Sequence, residues 1–149
     1  MRDKIAEAMK SALKSQDSRR LSTLRLIQAA IKDRDIANRT AGKDPVSDDE
    51  VLEILAKMVK QREESAQAFE EGNRIELAEQ ERQEIEVIRE FLPQQLGEDD
   101  VKQACAKVID ETGAYGLRDM GKCMNALKRK YPGRMDFGKA SGIVKDMLQ

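Results

Sequence analysis

The chain contains no histidine and no tryptophan. Without histidine there is no Ser-His-Asp or Cys-His nucleophile, no His-based zinc site and no Glu-x-x-His di-iron motif of the sort that helical bundles carry. Aromatic residues make up only 3 % of the sequence, too few for the Val-, Thr- and aromatic-rich strands of a β-sandwich. The two cysteines, Cys105 and Cys123, cannot build a disulfide framework. No run of about 18 apolar residues exists to span a membrane. The N-terminus turns charged at once, at Arg2-Asp3-Lys4, and lacks the apolar core of a signal peptide. The expectation is a cytoplasmic protein with no membrane partner.

What is present is charge. Of the 149 residues, 37 % are charged and 40 % apolar, a length that suits one domain or two small ones. The richness in Ala, Glu, Lys, Leu and Arg suits helices with solvated outer faces, so the predicted class is all-α. The net charge of −1 conceals a pattern: residues 1–46 carry +5, 47–92 carry −8, 93–112 carry −3 and 113–149 carry +5.

Apolar spacing places the helices. Residues 2–15 set Ile5, Ala8, Met9, Ala12 and Leu13 on one face. Asp17 or Ser18 can cap a second helix, whose stripe is Leu21, Leu24, Ile27 and Ile31 and which runs to about Arg39. After a loop at 41–45, Ser47 and Glu50 make a capping box for a third helix, with Val51, Leu52, Leu55, Met58, Val59, Ala66 and Phe69 on one side and Arg62 interrupting them. Gly72 reads as its stop and Asn73 as the next cap. A fourth helix over roughly 74–92 turns Leu77, Ala78, Ile85, Ile88 and Leu92 inward, so helices three and four form a hairpin. Pro93 lacks an N–H and disfavours the α conformation at Leu92, which ends the helix and suggests a hinge over 93–96. Beyond it, Val101, Ala104, Cys105, Val108 and Ile109 are spaced for one helix ending at Gly113. Met120, Cys123, Met124, Leu127 and Tyr131 predict a helix over 118–131, and Phe137, Ala140, Val144, Met147 and Leu148 one over 136–148. The expected organisation is a helical domain of hairpins over 1–92 and a three-helix bundle over 97–149.

Each chemical candidate has a plainer reading. The carboxylates Glu63, Glu64, Glu70, Glu71, Glu76, Glu79, Glu81, Glu84, Glu86 and Glu90 could hold a metal, but Arg62, Arg74, Arg82 and Arg89 are interleaved with them, and a solvated face is the better reading. Neither cysteine has a cation on its face to depress its pKa, so both read as small hydrophobes rather than nucleophiles. Gly121 costs a helix up to about 1 kcal/mol, which implies a use: close helix packing, or close approach of an RNA backbone. Lys122, Lys128, Arg129, Lys130, Arg134 and Lys139 fall around one helix and the Gly133 turn, either as a phosphate-attracting surface or as an ordinary solvated face. Arg19, Arg20 and Arg25 form a weaker basic cluster. Tyr131 and Phe137 read as core, which gives base stacking little support.

The run Phe91-Leu92-Pro93-Gln94-Gln95-Leu96, an acidic helix start at 97–100, and Asp119-Met120-Gly121-Lys122 together resemble the GatB/YqeY family. The turn at Gly133-Arg134, the Leu21 to Arg25 stretch and Lys60-Gln61-Arg62 with Phe69 are similar too. The resemblance covers essentially the whole chain. It implies a small helical module, found alone in bacteria and in related form as the tail of the tRNA-dependent amidotransferase B subunit, where the tail contacts tRNA. That kinship implies a carbon–nitrogen ligase with glutamine as amido donor, but no ATP, magnesium or amidase machinery is visible here. One departure stands in the last helix, where the family's Leu-Val-Asn after Gly-Lys is replaced by Ala140-Ser141-Gly142. The expected function is therefore tRNA binding through Gly121, Lys122, Lys128, Arg129, Lys130, Gly133, Arg134 and Lys139, with no catalytic residue, metal or cofactor. The alternative is a protein-interaction module using the acidic 47–92 hairpin.

Overall fold

Strong capping signals and complementary apolar stripes leave the chain only one kind of element. The computed structural model describes all 149 residues as seven helices and a single 3-10 turn, with no strand. They are α1 (Arg2–Lys14), α2 (Ser18–Thr40), α3 (Asp48–Glu71), α4 (Ile75–Arg89), α5 (Glu98–Thr112), α6 (Met120–Lys130) and α7 (Phe137–Leu148). The 3-10 turn, Leu117–Asp119, leads into α6. The chain divides into two compact units, Met1–Pro93 and Gln94–Gln149.

In the first unit, the predicted caps form. The Asp17 side chain accepts the Arg20 N–H at 3.1 Å, and Ser47 and Glu50 make the reciprocal capping box of α3. Helices α3 and α4 pair as the expected hairpin, but its turn differs in detail. Gly72 keeps an ordinary negative φ, and Asn73, expected to cap α4, takes the left-handed position instead, with φ 59°. The N–H of Arg74 then reaches Phe69 O at 2.7 Å and that of Asn73 reaches Glu70 O at 3.0 Å, a Schellman closure that spares two otherwise unpaired carbonyls. Asn tolerates this conformation better than most residues. Ile5, Leu24, Ile27, Leu55 and Ile88 are fully buried at the centre.

In the second unit, α5, α6 and α7 pack around Cys105, Val108, Cys123, Leu127, Ala140 and Val144. The segment leading into this unit is tied down. The Gln95 side chain donates to Gly133 O, the Leu96 N–H donates to Arg134 O at 2.9 Å, and Arg134 Nε donates to Gln94 O at 3.1 Å. Thus two stretches that carry the family resemblance, 94–96 and 133–134, hold each other. Gly133 has φ 71°, which only glycine adopts without strain, so its presence in the turn has a local cause.

Some expected core positions face water. Leu13 is 63 % exposed in the last turn of α1, and Met147 is 43 % exposed, with Leu148 taking the inward place. Conversely Val46, Phe91 and Met135 are buried although they lie in connections, where helical periodicity carries no signal.

Candidate nucleic-acid interface

The positive residues of the last helices start from two local facts. Helix α6 turns Cys123, Ala126 and Leu127 inward, which forces its charged residues outward. Lys128, Arg129 and Lys130 occupy its last turn, where the helix dipole favours cations. Lys122, Asn125 and Arg129 stand at i, i+3 and i+7 on one exposed stripe. Lys139 is exposed in the first turn of α7.

The expected residues do not form one uniform patch. Lys130 is engaged by Glu111 of α5, which holds the Glu111 carboxyl below its usual range. Arg134 is half-buried and donates to the Gln94 carbonyl. Gly133 is buried, and its carbonyl accepts from Gln95. That leaves Lys122, Lys128, Arg129 and Lys139 exposed and without an ion-pair partner. Gly121 is also exposed, and a Cβ placed there would meet nothing within 4 Å. Helix packing therefore does not explain this glycine. The backbone at the start of α6 is open to close approach from outside.

One feature of this unit escaped the sequence reading. Tyr115, in the connection between α5 and α6, is 74 % exposed, and the Arg118 guanidinium lies over its ring at 4.9 Å from the centroid. The loop is fixed by Asp119, whose carboxylate accepts the Tyr115 N–H at 3.2 Å. The available signal was an aromatic set between Gly113 and Gly116, outside any apolar stripe.

The weaker basic cluster separates. Arg19 donates to Gln83 and Arg20 pairs with Glu90, both on or beside α4, while Arg25 lines a groove of about 540 Å³ between α1 and α2. In that groove Arg2 grips Asp35 through two hydrogen bonds at 2.8 and 2.6 Å. These, with the Val46 N–H, hold the Asp35 carboxyl down at about 2.

The hairpin carboxylates are matched in part. Arg62 pairs with Glu84 at 3.0 Å, Arg82 with Glu70 at 2.7 Å and Arg89 with Glu63 at 2.6 Å. Burial, then the neighbouring Glu84, pushes the Glu81 carboxyl upward. No group of three or more His, Cys, Asp or Glu side chains is arranged to hold a metal ion. Both cysteines are fully buried, and burial, then the nearby Cys123, raises the Cys105 thiol. Such a thiol is a poor nucleophile. No helix is long and apolar enough to cross a membrane.

Comparison with known proteins gives a consistent picture. Residues 2–148 match the family described as Yqey-like protein. An uncharacterized protein of Schizosaccharomyces pombe is 33 % identical over 94 residues, covering 63 % of this chain and 70 % of that protein. A protein of Clavispora lusitaniae named altered inheritance of mitochondria protein 41, mitochondrial, is 25 % identical over 144 residues, covering 94 % of this chain and 80 % of its own length. Its namesake in Lachancea thermotolerans is 33 % identical over 90 residues, which span 60 % of this chain but only 46 % of that relative.

Proposed function

We infer that this chain, which belongs to the YqeY-like family, is a tRNA-binding helical module that works without catalytic residues of its own. The observation that carries the reading is the set of four exposed, unmatched cations, Lys122, Lys128, Arg129 and Lys139, in a stretch of net charge +5. Cations left unmatched by the fold remain available to phosphate, and the counterions that phosphate releases drive association. The open backbone at Gly121 lets a phosphate chain come close to α6. The likeness of 91–96 and 119–122 to the amidotransferase tail supports tRNA over other polyanions. A module that binds the tRNA backbone suits the cytoplasm or any other compartment that translates.

Filter binding to total tRNA at several salt concentrations tests this. With three or four phosphates neutralised, the log–log slope of affinity against salt is expected to be on the order of −3. Lys122→Glu with Arg129→Glu weakens every tRNA alike and flattens that slope by about 2, because such contacts position rather than specify. The rival reading, a basic protein partner on the α3–α4 hairpin, has its own control. Glu79→Lys with Glu86→Lys leaves RNA affinity intact but removes such a partner. Wild-type protein without salt-sensitive tRNA binding rejects the leading reading.

A further inference from the structure

We propose that Tyr115 is a stacking platform for an unpaired RNA base, placed beside the phosphate-binding cations of α6. This rests on the tRNA-binding reading and adds a base contact to it. The chain has five aromatic residues: Phe69, Phe91, Tyr115, Tyr131 and Phe137. Phe91 is buried, and Phe69, Tyr131 and Phe137 are half-buried. Tyr115 alone stands in solvent, at 74 % exposure, in a chain that otherwise tucks its rings away. It also sits in the +5 stretch, not in the acidic hairpin.

The geometry suits a base. The Arg118 guanidinium lies 4.9 Å from the ring centroid, and Tyr115 nonetheless keeps 74 % of its surface exposed. The guanidinium also meets the Tyr115 hydroxyl, and the Asp119 carboxylate anchors the Tyr115 N–H. The loop backbone at Tyr115 is thus fixed before any ligand arrives, which lowers the entropic cost of using the ring. Leu117, 48 % exposed and two residues on, widens the apolar surface. Arg118 beside the ring, and Lys122 seven residues further along the chain, supply positive charge of the kind that suits the phosphates on either side of a stacked base. Bases within a duplex are already stacked on their neighbours, so the partner is a loop or a single strand.

Fluorescence reads this directly, because the chain has no tryptophan and only two tyrosines. In Tyr131→Phe protein, Tyr115 is the sole emitter. A short oligouridine should quench it to saturation, whereas a blunt RNA duplex of equal length should leave it bright. Tyr115→Ala should lose about tenfold in affinity for the single strand and little for the duplex, while Tyr115→Phe keeps both. Since Tyr115 is exposed, a circular dichroism melt should be the same for all three proteins. Equal single-strand affinity in wild-type and Tyr115→Ala protein, with salt-sensitive tRNA binding intact, overturns the platform and leaves the tRNA reading standing. Wild-type protein that binds neither strand nor duplex overturns both.

Discussion

In the 1–93 unit at least six arginines meet carboxylates from elsewhere in the unit; in the 94–149 unit only Lys107 and Lys130 meet one. Arg2, Arg20, Arg62, Arg82 and Arg89 each meet an acid from another helix. All of these partners except Asp35 come from the densest run of acids in the chain. In the second unit only Glu111 plays that part, toward Lys130 of α6; it also meets Lys107 one turn back on its own helix. The cores differ in the same sense. The first is built mainly from Ile, Val and Leu with Met58, Phe91 and one alanine, the second from Ala, Cys and Val with two leucines and a methionine and no isoleucine. Small side chains let the short helices α5, α6 and α7 lie close together, leaving their charged residues outside. Arginines engaged by carboxylates, as these are, serve the stability of their unit. A unit whose cations are left over is suited to a polyanion.

The largest effect that would break this comparison is loss of folding. If the two units are independent, a 94–149 fragment should retain helical circular dichroism and a cooperative melt. A 97–149 fragment lacks the three hydrogen bonds from Gln94, Gln95 and Leu96, and should be less stable by about 2 kcal/mol. An unstructured 94–149 fragment would mean that the second unit depends on the first.

A middle-sized effect separates structural from available charge. Arg62 and Glu84 are largely buried, with 16 % and 23 % of their side chains exposed, and Arg62 also donates to Met58 O at 3.3 Å. Arg62→Met strands Glu84 beside Glu81 and should cost about 2 kcal/mol by urea unfolding. Lys122→Glu with Arg129→Glu removes nothing that the fold uses and should stay within about 0.5 kcal/mol of wild type. If the two changes cost the same, the distinction between matched and leftover cations has no energetic content.

How far the sequence foretold this depended on the kind of signal. Helix existence followed from stripes such as Val101 to Ile109, and the capping box at Ser47 named its own helix. Connections were harder to read, because a buried residue there obeys no period. Val46 and Met135 are buried in such connections, whereas Phe91 lies just past the end of α4, where the expected helix over 74–92 would turn Leu92 inward instead. Gly72 does end α3, but Asn73, expected to cap α4, takes the left-handed position and Arg74 precedes α4, because the hydrogen bonds rather than the residue types decide the turn. At the candidate interface, composition located the positive charge but not its use. Whether Lys130 is free depends on Glu111, which lies 19 residues away in sequence. Tyr115 sends no helical signal because it lies in the connection between α5 and α6, outside every apolar stripe.

The smallest expected effect lies at acid pH, where each unit loses one tie. In the first, Arg2 hydrogen bonds and the Val46 N–H hold Asp35 at about 2, below the unperturbed value near 4. In the second, the Lys130 hydrogen bond and charge depress Glu111. A carboxylate depressed by folding contributes stability that is complete above its unfolded pKa and is lost as pH falls through the folded one. Both ties should therefore be intact at neutral pH and weaken only in acid, Asp35 between about 4 and about 2. Carboxyl NMR titration resolves them separately. Arg2→Met should raise the Asp35 midpoint toward its unperturbed value and leave Glu111 unmoved, and Lys130→Met should do the converse. If either substitution shifts both midpoints, the two units are electrostatically coupled and the contrast between them must be redrawn.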